Sequence, residues 1–138
     1  MIQWNNTIDV ESYAALRQSV GWFPFPDHRL QSAIERSACI AAVYDGEQAV
    51  GMGRMVGDGM YYVIVDVMVR PEYQHAGLGR EIMERLVSFA ESELYPGDRV
   101  SIQLIAEPGK EGFYENLGFR RIPHEFCGTG MRKIVRKA

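Results

Sequence analysis

Apolar residues fall into two rhythms along this chain of 138 residues. A short strand is expected over 2–5, and residues 9–20 read as a helix. Asp9 is placed to cap it, and Val10, Tyr13, Ala14 and Arg17 share one stripe. Trp22, Phe23 and Phe25 then alternate with Pro24 and Pro26 behind Gly21, which makes a stiff aromatic loop. Asp27 starts a second short helix to about Ser37. Residues 39–44 are continuous and apolar, and Asp45-Gly46 signals a hairpin into a strand over 48–56. Gly57-Asp58-Gly59 is the next turn, and 61–69, YYVIVDVMV, reads as a central strand.

Past Arg70-Pro71 the rhythm changes. A glycine-bearing loop runs through Gly79, and residues 80–94 form an amphipathic helix with Ile82, Met83, Leu86, Val87, Phe89, Ala90 and Leu94 at helical spacing. Pro96-Gly97-Asp98 ends it. A buried strand is expected over 100–106, a short helix over 110–117 closed by Gly118, a strand over 119–122 and a last one over 131–135. An antiparallel meander followed by strand–helix–strand units predicts an α/β (α+β) fold: a mixed, mostly antiparallel central sheet with helices on both faces, in one domain over 1–138.

Composition narrows the functions open to such a fold. The net charge is −3, and no Lys/Arg stripe could neutralise a phosphate backbone, which argues against nucleic acid. The one basic run, Arg132, Lys133, Arg136 and Lys137, reads as a solvated terminus. Cys39 and Cys127 are far apart, and His28, His75 and His124 are scattered, so neither a disulfide framework nor a metal site is expected. No basic-then-apolar leader and no bilayer-length apolar run is visible, which points to a cytoplasmic protein with no membrane partner.

The chemistry concentrates in Val67-Met68-Val69-Arg70-Pro71-Glu72-Tyr73-Gln74-His75-Ala76-Gly77-Leu78-Gly79-Arg80. A strand delivers the chain to a glycine turn and a helix leaves it. The first N–H groups of that helix lack internal partners and its dipole is positive there, a setting for anionic phosphates. A P-loop would need Gly-Lys-Ser/Thr, and a dinucleotide fingerprint would need a third glycine where Ile82 stands. The Gln-x-x-Gly-x-Gly that remains resembles the pyrophosphate-binding motif of the GNAT superfamily of N-acetyltransferases. Gly112-Phe113-Tyr114-Glu115-Asn116-Leu117-Gly118-Phe119 resembles that superfamily's second signature, FYxxxGF. The resemblance is firmest over 39–120.

The resemblance implies acetyl-CoA as co-substrate, its pyrophosphate on the amides of Gln74, His75, Ala76, Gly77, Leu78 and Gly79, with Arg80 opening the helix. His75 and Ala76 stand where many members carry basic residues, which leaves more to Arg80 and Arg70. Val67 and Val69 resemble strand positions that pair with pantetheine, and a backbone N–H near Met68 would face the thioester oxygen. Tyr114 corresponds to the phenol that protonates the departing thiolate, and Phe113 packs either in the core or against the cofactor. Asp66, an acid in an apolar strand, reads either as the group that binds or deprotonates the amine or as a structural carboxylate bonded to a neighbouring loop or an Arg. Alternation puts it on the face of Ile64 and Met68. Glu107 is the reserve base. Trp22, Phe23 and Phe25 border either the acceptor pocket, as the resemblance implies, or simply the core.

Together these residues lead to the expectation of an acetyl-CoA-dependent N-acetyltransferase acting on a primary amine of a small molecule by direct attack in a ternary complex. No cysteine lies in either motif to carry an acyl-enzyme. A protein Lys or N-terminus as acceptor, and a non-catalytic acyl-CoA sensor, are the alternatives. A homodimer through the C-terminal strand is a further expectation from the superfamily.

Overall fold

Five strands, β1 (Ile2–Asn5), β2 (Cys39–Asp45), β3 (Gln48–Gly57), β4 (Tyr61–Val69) and β5 (Ser101–Leu104), lie side by side in chain order in the computed structural model, which describes residues 1–138. β1 to β4 are antiparallel and β5 joins β4 in parallel, so the sheet is mixed as expected. The helices are α1 (Val10–Ser19), α2 (Asp27–Glu35), α3 (Leu78–Ser92) and α4 (Glu111–Glu115). The chain divides into two compact units, Met1–Leu104 and Ile105–Ala138.

In the first unit, α1 and α2 cover one face of the sheet and α3 the other. Asp9 caps α1 as its spacing predicts, accepting from the Ser12 amide at 3.0 Å. Tyr13 and Leu16 of α1 and Leu30 of α2 pack on Ile40, Ala42, Met52 and Met68. On the opposite face Ile82, Met83, Leu86 and Ala90 of α3 are buried, and β3 lacks a side chain beneath them. A Cβ at Gly53 would stand 2.6 Å from Ile82 Cγ2 and 3.2 Å from Leu86 Cδ1. Glycine in β3 therefore sets how closely α3 approaches the sheet.

Two features of β4 distinguish its C-terminal half. Its register with β3 slips so that Gly53 faces both Asp66 and Val67, a bulge in which Asp66 takes a left-handed φ of 56°. Its pairing with β5 covers only Tyr61 to Ile64. Beyond Ile64 that edge of β4 has no strand beside it.

The second unit holds α4, whose Tyr114 carbonyl accepts from Leu117 at 3.0 Å and from Phe119 at 3.1 Å. The strand expected over 119–122 is absent: Phe119 turns back on Tyr114, and Pro123 removes a donor that a ladder would need. The strand expected over 131–135 is also absent. Its cationic neighbours favour water over a sheet, and Met131 and Val135 are exposed. A lone bridge pairs His124 with Cys127.

Candidate active site

The register of β3 and β4 decides which backbone groups face the open edge. Arg70 N–H donates to the Val50 carbonyl at 2.8 Å, so Arg70 and Val50 are a hydrogen-bonded pair. Narrow pairs recur every second residue in an antiparallel ladder, which makes Met68 and Met52 the next one. Met68 therefore directs its own N–H and C=O at β3, and its side chain is buried in the α1 face of the core. Val67 and Val69 point theirs the other way, to the edge that β5 leaves uncovered. Of the sequence-derived triplet, the two valines present a backbone free to pair with an extended ligand. Met68 does not.

Gln74 uses one of those groups, its Nε2 donating to the Val69 carbonyl at 2.9 Å. The residue that opens the Gln-x-x-Gly-x-Gly motif thus straps the loop to the end of β4. A second strap comes from Tyr73, whose hydroxyl donates to Asp45 at 2.6 Å across the β2–β3 turn. Between these anchors and the helix, His75 and Gly77 adopt left-handed φ values of 66° and 86°. Gly77 is the N-cap of α3, and no side chain caps the helix. The amides of Leu78, Gly79 and Arg80 at the head of a 15-residue helix have no intrahelical acceptors, and left-handed residues beside them are the geometry of anion-binding backbone concavities. Ala76 lies exposed between them. Arg80 is exposed, with Glu84 at 3.7 Å, and Arg70 is tied to the Ala49 carbonyl at 2.8 Å, so the loop's cations are modest and its backbone is the main anion donor.

Asp66 is held by three side chains. Arg17 Nη1 donates to Oδ1 at 2.8 Å, Arg54 Nε donates to Oδ2 at 2.8 Å, and the Tyr13 hydroxyl donates to Oδ2. The carboxylate is 10% exposed and its arginines 12% and 15%. Of the two readings open for Asp66, the geometry matches the structural carboxylate: both oxygens are engaged by donors, two of them permanently charged. Removing one partner of such a buried cluster typically costs about 3–5 kcal/mol. The bulge also corrects its expected face. Asp66 lies with Met68 toward α1, whereas Ile64 pairs with Met55 on the α3 side, because the extra residue breaks the alternation between them. Burial and the bond to Asp66 push the Tyr13 phenol up to about 12.

Sequence reasoning did not place Tyr13, Arg17 or Arg54 in this cluster. Arg54, a cation inside an apolar strand, was the available signal. Arg17 also reaches the aromatic loop. Its Nη2 donates to the Phe23 carbonyl at 3.0 Å, and its guanidinium carbon lies 5.5 Å from the Trp22 ring and 5.2 Å from that of Phe25. Its Nε is buried without a partner. Phe23 and Phe25 meet edge to face at 5.1 Å and are exposed, while Trp22 packs on the α1 core.

In the second unit, Tyr114 meets Phe113 at 5.0 Å and Phe119 at 6.3 Å, both edge to face. No protein group hydrogen-bonds its hydroxyl. Burial, and then the charge of Glu107, raise its pKa, so the phenol holds its proton across the physiological range. No group of three or more His, Cys, Asp or Glu comes together to hold a metal ion, and no helix is long and apolar enough to cross a membrane.

Known proteins are similar to this chain in sequence and in fold. Serotonin N-acetyltransferase 2 of rice, a chloroplastic enzyme, is 35% identical over 126 residues, which cover 88% of this chain and 61% of that one. A histone acetyltransferase of soybean is 30% identical over 133 residues, covering 88% of this chain and 56% of that one. The chain thus spans little more than half the length of these two relatives. A solved GNAT family acetyltransferase of Streptococcus pneumoniae is 31% identical, with a TM-score of 0.77 over 99% of this chain and 98% of its own. The model of the acetyltransferase (GNAT) domain matches residues 18–135, running through both signatures and both compact units, and on that match the chain belongs to the GNAT family of N-acetyltransferases.

Proposed function

We propose that this chain transfers the acetyl group of acetyl-CoA to a primary amine of a small molecule, by direct attack in a ternary complex, as a single domain over residues 1–138. The observation that carries the reading is the pairing of an open β4 edge at Val67 and Val69 with the uncapped head of α3. An extended, amide-bearing chain ending in phosphates suits both features. Its amides match the strand edge and its phosphates match the helix N-terminus.

Attack by the amine puts negative charge on the thioester oxygen, and a backbone N–H at the bulged edge stabilises it without moving. The Val67 amide takes this role, because Met68 donates to β3. Collapse expels a thiolate that needs a proton. Tyr114 is assigned as its donor, since burial keeps the phenol protonated. Asp66 is assigned a positioning role, and Glu107, whose charge acts on Tyr114, stays the candidate to receive the amine's proton. Trp22 and Phe23 flank the acceptor side, with Phe113 packing beside Tyr114. A protein Lys or N-terminus is the second reading, favoured by the soybean relative's description as a histone acetyltransferase.

Free-thiol release from acetyl-CoA, measured with a panel of small amines and with Lys peptides, tests the proposal. Release with small amines supports it. Release with peptides alone moves the assignment to the second reading, and acetyl-CoA binding without release from any acceptor would contradict an enzyme.

A further inference from the structure

The aromatic loop and the β4 bulge are distant in sequence, yet a single side chain joins them. Arg17 sits near the end of α1, and both ends of its fork are committed. Nη1 is bonded to Asp66 at 2.8 Å, Nη2 to the Phe23 carbonyl at 3.0 Å, and the planar face lies near Trp22 and Phe25. The backbone adds one tie of its own, Trp22 N–H to the Arg17 carbonyl at 3.0 Å. Asp66 at the other end occupies a left-handed position that few side chains other than glycine adopt. Its orientation is fixed independently by Arg54 at 2.8 Å and by Tyr13. The aromatic loop is therefore bolted to a rigid point of the sheet, and the rigid point is next to the edge groups of Val67.

We propose that Arg17 is a positioning residue that locks the Trp22–Phe25 loop onto the β4 bulge and thereby sets the acceptor side of the site. Its bearing on the acceptor rests on the acetyltransferase reading. Its hold on the loop does not. Arginine is required because only its fork serves a carboxylate and a carbonyl at once while stacking on rings. Lysine can keep the charge beside Asp66 but loses the Phe23 bond and the planar face. Because Nε has no partner, the exchange leaves no acceptor stranded there.

The test uses Arg17→Lys and, as a variant that leaves the Asp66 cluster intact, Phe25→Leu. Both are made in a Trp4→Phe background, where Trp22 is the remaining indole of the two in the chain. Acrylamide quenching of Trp22 is expected to rise at least about twofold in both variants as the loop opens locally. The KM for the amine is expected to rise about tenfold while the Kd for acetyl-CoA stays within about twofold, a split that general destabilisation does not produce. Unchanged quenching overturns the inference. So does an equal loss toward both substrates, which marks Arg17 as merely structural. If the parent protein releases no thiol with any acceptor, the acetyltransferase reading fails, and the quenching comparison alone decides whether Arg17 holds the loop.

Discussion

Gln74 Nε2 lies 2.9 Å from the Val69 carbonyl, so the first residue of the phosphate-loop motif is bonded to the last residue of the strand before it. The two halves of the candidate acetyl-CoA site, strand edge and helix head, are fastened together by this bond. Gln74→Ala should raise the Kd for acetyl-CoA about tenfold, the worth of one hydrogen bond of about 1–1.5 kcal/mol, by isothermal titration. Gln74→Glu should be worse, since a carboxylate would face both a carbonyl oxygen and the incoming phosphates. Equal affinity in all three proteins would show that the strap does not shape the loop.

Gly53 predicts a structural limit. A Cβ there would come within 2.6 Å of a branched methyl on Ile82, close to the Asp66 bulge. Gly53→Val should lower stability by about 1–3 kcal/mol through overpacking, read by thermal or urea denaturation. Wild-type stability would mean that α3 shifts freely off the sheet, against its close packing on β3.

His75 holds a φ of 66°, a region in which His is several-fold enriched among non-glycine residues but never at ease. His75→Val should cost about 1–2 kcal/mol, and His75→Gly should fold at least as stably as the parent. Indistinguishable melting curves for the two variants would remove the left-handed turn from the account.

Two phenols make a pH prediction with a definite sign. Tyr13 is pushed up to about 12 by burial and its bond to Asp66, and Tyr62 to about 12 by its bond to Glu93 and by burial. A folded-state pKa above the unfolded value near 10 gives stability that is fully present below about pH 10 and is lost as pH rises toward 12. Denaturation midpoints should stay level up to about pH 10 and fall beyond it, and Tyr13→Phe should flatten that fall. An identical alkaline profile in the variant would contradict the assignment.

Tyr114 is raised by burial and by Glu107, so the acid form persists through neutral pH. As a proton donor it predicts that kcat does not decline through neutral and mildly alkaline pH, and that Tyr114→Phe lowers kcat roughly 10²- to 10⁴-fold with a smaller effect on acetyl-CoA binding. A descending limb near neutral pH in the parent that vanishes in the variant would mean that the phenol's pKa is lowered rather than raised.

Local signals carried most of the fold and missed its joints. The strand over 61–69, the Asp9 cap and the amphipathic stripe from Ile82 to Ala90 are each written in consecutive residues, and each is found where periodicity puts it. The first helical turn starts at Leu78 rather than Arg80, because Gly77 takes the cap position inside the motif. The bulge at Asp66 is not legible, since it is a slip of register against Gly53 of a neighbouring strand. For the same reason Asp66 read equally as a base or as a structural acid. Its partners Tyr13, Arg17 and Arg54 come from α1 and β3 and meet only in three dimensions. Alternation alone could not tell whether Met68 or its neighbours faced outward, as that needs the β3 register. Residues 119–122 and 131–135 show the opposite failure: apolar content suggested strands, but a proline, a back-turned Phe119 and flanking cations outweighed it.

Amide hydrogen exchange with and without acetyl-CoA reads out whether the cofactor lies along the open edge of β4 and ends on the head of α3. New protection is expected at Val67 and Val69 and from His75 to Arg80, with no change at Trp4, Cys39 and Arg85, which line a groove of about 760 Å³ between β1 and α3. Protection at that groove instead, or none anywhere at saturating acetyl-CoA, would contradict the account.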